Sequence, residues 1–211
     1  MRLLIVGGTR FVGRHMAEIA VERGHDVTLF HRGKTGGDLM PSATHLLGDR
    51  DTDLALLADG RWDATIDACA YVPRQVEELA DALGDRAGQF AFVSTVSVYA
   101  EPMGQNSDED APLATLTDPS TEDVDDETYG GLKVLCEQVV HNRFGDSALI
   151  VRPTYVVGPY DYTHRFTYWV ERIAAGGAVL APGPRDYGIQ VIDARDQAAW
   201  TIDMLENGRG G

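Results

Sequence analysis

An α/β fold built on a doubly wound parallel sheet is predicted by three features of this 211-residue sequence. Short apolar runs such as LLIV and DVTLF end at glycine or polar residues. Between them lie stretches with apolar residues at helical spacing. The two patterns alternate from the first residues to Val157, as expected of strands joined by crossover helices.

The elements follow in order. LLIVG is a first strand, and Phe11, Val12, Met16, Ile19 and Ala20 share one face of a helix that Gly24 stops. DVTLF is the second strand, which completes a βαβ unit within about 30 residues. THLLGD reads as a third strand, DTDLALLAD as a helix and WDATIDACA as a fourth strand. VPRQVEELADAL reads as a helix and QFAFVSTVSVY as a strand. After an acidic stretch, TYGGLKVLCEQVVHNRF is a long helix and SALIVRPTYVV another strand. Such alternation predicts right-handed crossovers and a sheet covered on both faces, a Rossmann-type domain over residues 1–157.

Residues 158–211 break the rhythm with PYD, APGPRDYG and several aromatics. A helix at HRFTYWVERIAAG and a strand-helix pair at YGIQVIDARDQAAWTIDMLEN suit a smaller region lying over the open end of the sheet. Phe166, Tyr168 and Trp169 can line a pocket, but an aromatic helix face ordinarily belongs to a core. A turn such as NGRGG normally leads to another element, so this region reads as incomplete.

Composition narrows the function classes. A net charge of -15 argues against a broad nucleic-acid face. No run approaches the roughly 18 apolar residues of a membrane span, and MRLLIVGG reads as a strand rather than a signal peptide. The two cysteines, Cys69 and Cys136, have no ligand or redox spacing. Nor do His15, His25, His45, His141 and His164. Reduced thiols, no metal and a cytoplasmic location are the expectation. The run Glu101–Glu127 has no lysine or arginine; it reads as a lid, a cation-binding loop or a partner contact, and its composition favours a solvated loop.

The segment Gly7-Gly8-Thr9-Arg10-Phe11-Val12-Gly13 joins the first strand to the first helix. Glycines there permit close approach of a dinucleotide pyrophosphate, and the helix N-terminus offers free N–H groups. An NAD-preferring site usually places a carboxylate at the end of the second strand; here stand His31, Arg32, Gly33 and Lys34. Cations hold a 2′-phosphate, so NADP is expected rather than NAD. Arg10 can join Arg32 at that phosphate or remain a solvated cation. Asp49 can receive the adenine amino group or serve as a turn aspartate.

Tyr129 and Lys133 lie four apart on one helix, so the ammonium can approach the phenol, lower its pKa and reach a bound ribose. Ser94, Thr95 and Ser97 end a strand where ligands gather in such sheets. With GGTRFVG, STVSVY, YGGLK, RPTYVVGP and IQVIDARDQA in this order, the chain resembles an extended short-chain dehydrogenase/reductase of the NAD-dependent epimerase/dehydratase type. The resemblance implies Tyr129 as general acid/base, Lys133 as its tuning and ribose-binding partner, and Thr95 as the hydroxyl beside the substrate oxygen. It adds Ala70 and Pro153 to the cofactor contacts, and makes the Tyr129 helix the candidate surface of a homodimer.

Three departures narrow the reading. Arg10 replaces the middle glycine, as in an atypical subgroup that includes reductases, sugar-modifying enzymes and chloroplast RNA-binding proteins. Val96-Ser97 stand where the sugar dehydratases carry Asp-Glu, which counts against dehydration; the basic second strand counts against epimerisation. Residues 158–211, which the resemblance makes a substrate-binding region interleaved with the first domain, are short for that role. What remains is hydride transfer between NADP and a carbonyl or alcohol carbon of a small molecule. A sugar-nucleotide epimerase and a non-catalytic or RNA-binding relative are the alternatives.

Overall fold

The computed structural model describes residues 1–104, 107–181, 183–186 and 188–210. Gln105 and Asn106 of the acidic stretch, Pro182 and Tyr187 of APGPRDYG, and the terminal Gly211 lie outside the described residues. Strands β1 (Arg2–Val6), β2 (Asp26–His31), β3 (Thr44–Leu47), β4 (Ala64–Asp67), β5 (Gln89–Val93) and β6 (Ala148–Val151) form one sheet in the order β3-β2-β1-β4-β5-β6. Every pairing is parallel. The fold is the expected Rossmann-type doubly wound sheet.

Burial on both faces explains the unbroken apolar runs of the central strands. Leu3 and Ile5 of β1 pack with Met16, Ala17 and Ala20 of α1 (Phe11–Glu22) and with Ala198, Ile202 and Leu205 of a C-terminal helix. Leu4 and Val6 face the other way, toward Val76, Leu79 and Leu83 of α2 (Pro73–Leu83) and Cys136 and Val140 of α3 (Tyr129–Phe144). That C-terminal helix, labelled α5 below, thus belongs to the core of the sheet although it lies beyond residue 158.

Several sequence expectations are corrected. DTDLALLAD is not a helix: only a single 3-10 turn forms at Leu54–Leu57, and within it only Leu57 is buried. SALIVRPTYVV is not one strand. It breaks at Arg152-Pro153, where proline has no N–H to continue a ladder, and Tyr155–Val157 (β7) pairs instead with Val191–Asp193 (β8) in a separate two-stranded sheet. QFAFVSTVSVY leaves the sheet after Val93 and turns through Val96–Val98. The aromatic segment forms α4 (Thr167–Ala174), which has no buried residue, so it is not a core face. The chain then returns through β8 into α5 (Ala194–Glu206).

Described residues of the acidic stretch are largely exposed, yet they are attached. Leu113 bridges Tyr99, and Arg74 of α2 grips Glu122 with two hydrogen bonds of 2.9 and 3.0 Å. Among the described residues no helix is long and apolar enough to cross a membrane.

Candidate active site

The strand order reverses between β1 and β4, and in such sheets ligands bind in the crevice beyond the carboxyl ends at that reversal. A cleft of about 680 Å³ opens there. It is lined by the glycine turn after β1, the residues after β2, β3, β4 and β5, and the first turn of α3.

At the turn, Gly7 takes φ 89°, and a Cβ there would stand 2.9 Å from the Cys69 Sγ. A Cβ on Gly13 would stand 2.6 Å from the Gly7 carbonyl oxygen, so helix and turn are in direct backbone contact. Gly8 does not line the cleft; its Cα faces Leu29 and Ile5, which leave no room for a methyl. Thr9, Arg10, Phe11, Val12 and Gly13 do line it. Arg10 is extended, at φ -132°, a conformation open to any residue. The left-handed φ falls one residue later, at Phe11 (37°), whose ring is anchored against Val156 and Ala194. No acidic side chain occupies the first turn of α1 and no side chain caps it, which leaves its N–H groups for an anion.

Arg10 and Arg32 both line the cleft but engage different partners. The Arg10 guanidinium lies 3.6 Å from the centre of the Tyr162 ring, and Arg14 one turn on lies 3.5 Å from that of Tyr160. Arg32 is exposed and meets Asp49 at 4.0 Å. Asp49 also accepts the Asp51 N–H at 3.2 Å, so it is a turn aspartate as well as a cleft residue. His31, Arg32 and Lys34 line this end, with no carboxylate on β2 near them.

At the other end Thr95, Tyr129 and Lys133 line the same cleft, with Ala70 and Pro153. Thr95 Oγ1 accepts the Ser97 N–H at 3.1 Å and donates to the Ser97 Oγ at 3.2 Å. Gly130 lies against the Ser97 carbonyl and Gly131 against Leu116, contacts a side chain would block; the paired glycines of YGGLK therefore let α3 start beside Thr95. Lys133 is 3% exposed, and its Nζ donates to the carbonyls of Ala70 (2.9 Å) and Val93 (2.7 Å). Burial lowers its pKa to about 8. The expectation that Lys133 lowers the Tyr129 pKa is corrected. Burial pushes that phenol up; the neighbouring Thr95 hydroxyl and the charge of Arg165 act in the opposite direction.

Sequence reading missed the charge beneath the cleft. Arg50, in the turn after β3, binds Asp67 of β4 through two hydrogen bonds of 2.8 and 2.9 Å, and Asp67 is fully buried. Asp67 Oδ1 also accepts the N–H groups of Cys69 and Ala70, both at 3.1 Å, so the pair shapes the strand end facing Gly7. The only signal was an aspartate inside the apolar run ATIDACA. Tyr71, Tyr162 and Arg165 complete the lining and were likewise not assigned. Among the described residues the buried Ser94 Oγ has no partner. That orphaned hydroxyl and the uncapped first turn of α1 fit a dinucleotide.

Comparison with known proteins agrees with this geometry. The sequence model of the NAD dependent epimerase/dehydratase family matches residues 3–211. The chloroplast stem-loop binding protein of 41 kDa b of Arabidopsis thaliana is 28% identical over 224 residues, covering 98% of this chain and 55% of that protein. UDP-glucose 4-epimerase of Corynebacterium glutamicum is 28% identical over 183 residues, covering 76% and 53%. The chain thus spans about half the length of these curated relatives. The Bordetella bronchiseptica enzyme WbmH, solved in complex with NAD+, superposes with a TM-score of 0.77 at 21% identity, covering 99% of this chain and 73% of that one.

Proposed function

The chain belongs to the NAD-dependent epimerase/dehydratase family, and from that premise we propose that it is an NADP-dependent oxidoreductase acting on a carbonyl or alcohol carbon of a small molecule, a sugar nucleotide or another carbonyl metabolite. One observation carries this reading. A single cleft has Thr95, Tyr129 and Lys133 at one end and Arg32 at the other, where β2 supplies no carboxylate.

A bound NADP supplies or takes up the hydride. Tyr129 delivers a proton from its Oη to the substrate oxygen in the reducing direction and recovers one in the other. The raised phenol pKa keeps that proton in place at neutral pH. Thr95, whose Oγ1 accepts the Ser97 N–H, turns its hydroxyl proton from the Ser97 Oγ to the same substrate oxygen and stabilises charge developing there. Lys133 commits two N–H groups to the carbonyls of Ala70 and Val93 and keeps the third for a ribose hydroxyl. Arg32 and Lys34 receive the 2′-phosphate.

Calorimetric titration with NADPH and NADH tests the cofactor half. NADPH binds at least about tenfold more tightly, and Arg32→Asp removes that preference while sparing NADH. Tyr129→Phe lowers turnover by about 10²–10⁴-fold without weakening NADPH. Binding of neither nucleotide overturns the enzyme reading. The stem-loop-binding relative favours RNA as the competing ligand; a charge of -15 opposes it, and a salt-sensitive RNA mobility shift would reverse that order.

A further inference from the structure

Four ring nitrogens at the Arg32 end of the cleft form one directed chain of hydrogen bonds. The Gly33 N–H donates to His31 Nδ1 at 3.1 Å, so that nitrogen holds the lone pair and the neutral ring carries its proton on Nε2. His31 Nε2 lies 2.9 Å from His45 Nδ1, which therefore accepts. The proton of His45 is then left on its own Nε2, 3.4 Å from the Met40 carbonyl. The rings meet nearly at right angles, 82°, with centres 5.1 Å apart. Reversing either tautomer sets two N–H groups or two lone pairs against each other.

The register of the sheet makes this meeting possible. Leu29 pairs with His45 and His31 with Leu47, so both histidines lie on the same face as diagonal neighbours. The chain of bonds begins at the residue that turns the backbone out of β2, since Gly33 takes φ 69°. Arg32, immediately before it, is 57% exposed and has one 4.0 Å ion pair to hold its side chain. Its aim is therefore set by the backbone turn rather than by packing.

We propose that His45 is a positioning residue for cofactor discrimination: by accepting the His31 Nε2–H it fixes the tautomer with which His31 holds the Gly33 amide, and so aims Arg32 and Lys34 at the 2′-phosphate. The assignment rests on the NADP reading above. His45 touches no nucleotide in this role; it acts through His31.

Three measurements test it. Long-range ¹⁵N–¹H correlation of the imidazoles in the unliganded wild type is expected to show both His31 and His45 as Nε2–H tautomers; an Nδ1–H tautomer at His31 overturns the chain of bonds. His45→Phe removes the acceptor and is expected to weaken NADPH on the order of tenfold, the effect of one hydrogen bond, with NADH changed by less than about twofold. His45→Asn keeps an acceptor beside His31 Nε2 and is expected to restore NADPH affinity to within about twofold. Equal loss of both nucleotides in His45→Phe, or no rescue by asparagine, reduces His45 to a structural residue and overturns the proposal. A wild type with no preference for NADPH overturns the cofactor reading first and the assignment with it. Unchanged NADPH preference in His45→Phe overturns the assignment alone.

Discussion

Helices α1 and α4 both carry apolar residues at helical spacing, yet one is locked into the core and the other lies on the surface. Met16, Ala17 and Ala20 of α1 are fully buried against β1 and α5. In α4 nothing is buried, and Val170 and Ile173 are 55% and 64% exposed. Amphipathic pattern alone therefore did not decide burial; the presence of a sheet face to receive the helix did. The cofactor end of the cleft is built on elements that the core over-determines. The stretch from Pro159 to Tyr162, which leads to α4, is attached by side-chain clips: Arg10 on Tyr162, Arg14 on Tyr160, and His15 Nε2 at 3.0 Å from the Pro159 carbonyl.

The contrast is sharpened most by breaking the buried pair under the cleft. Asp67→Asn keeps the shape of the side chain but leaves the Arg50 guanidinium buried without its counter-charge, and is expected to cost about 3–5 kcal/mol in urea unfolding. A loss below about 1 kcal/mol would mean that water reaches Arg50, and the core would then not be what shapes the strand end at Cys69 and Ala70.

A matched pair of truncations comes next. Ile202 of α5 is fully buried, and Ile202→Ala is expected to cost about 2–5 kcal/mol. Ile173→Ala, on the exposed face of α4, is expected to stay within about 0.5 kcal/mol. Comparable losses at the two positions would show that α4 is covered in solution, and the division between a packed and a clipped region would fall.

What the sequence made legible follows the same line. LLIV, DVTLF and ATID were readable because strands buried on both faces must be continuously apolar, and the glycine turn because Gly7 and Gly13 stand where a side chain would strike backbone or Cys69. DTDLALLAD misled because leucines at helical spacing also suit a single turn with one buried residue, Leu57. The ion pair of Arg50 and Asp67 was invisible because it joins the turn after β3 to β4, and no local pattern links residues that only the fold brings together. The same is true of His31 and His45, neighbours by register alone. YGGLK drew attention to Tyr129 and Lys133, which line the cleft, but not to the reason for its glycines, which is the contact of α3 with Ser97 and Leu116.

The smallest expected effect is the most informative about Arg10. Glycine would suit the position without strain, since φ -132° is ordinary extended backbone and the demanding conformation lies at Phe11. Arg10→Gly should therefore leave the unfolding midpoint nearly unchanged. What it removes is the guanidinium stacked on Tyr162, an exposed contact of about 0.5–1 kcal/mol. That difference corresponds to a two- to fivefold rise, roughly, in amide hydrogen exchange, confined to the segment around Tyr162, with α1 and β1 unaffected. Faster exchange spreading into α1 would make Arg10 part of the core rather than a clip. Unchanged exchange around Tyr162 would mean that Arg14 and His15 hold the segment by themselves. In the expected case the arginine stands in the glycine motif because the turn needs no glycine there, and its side chain ties the glycine turn to the stretch that leads to α4.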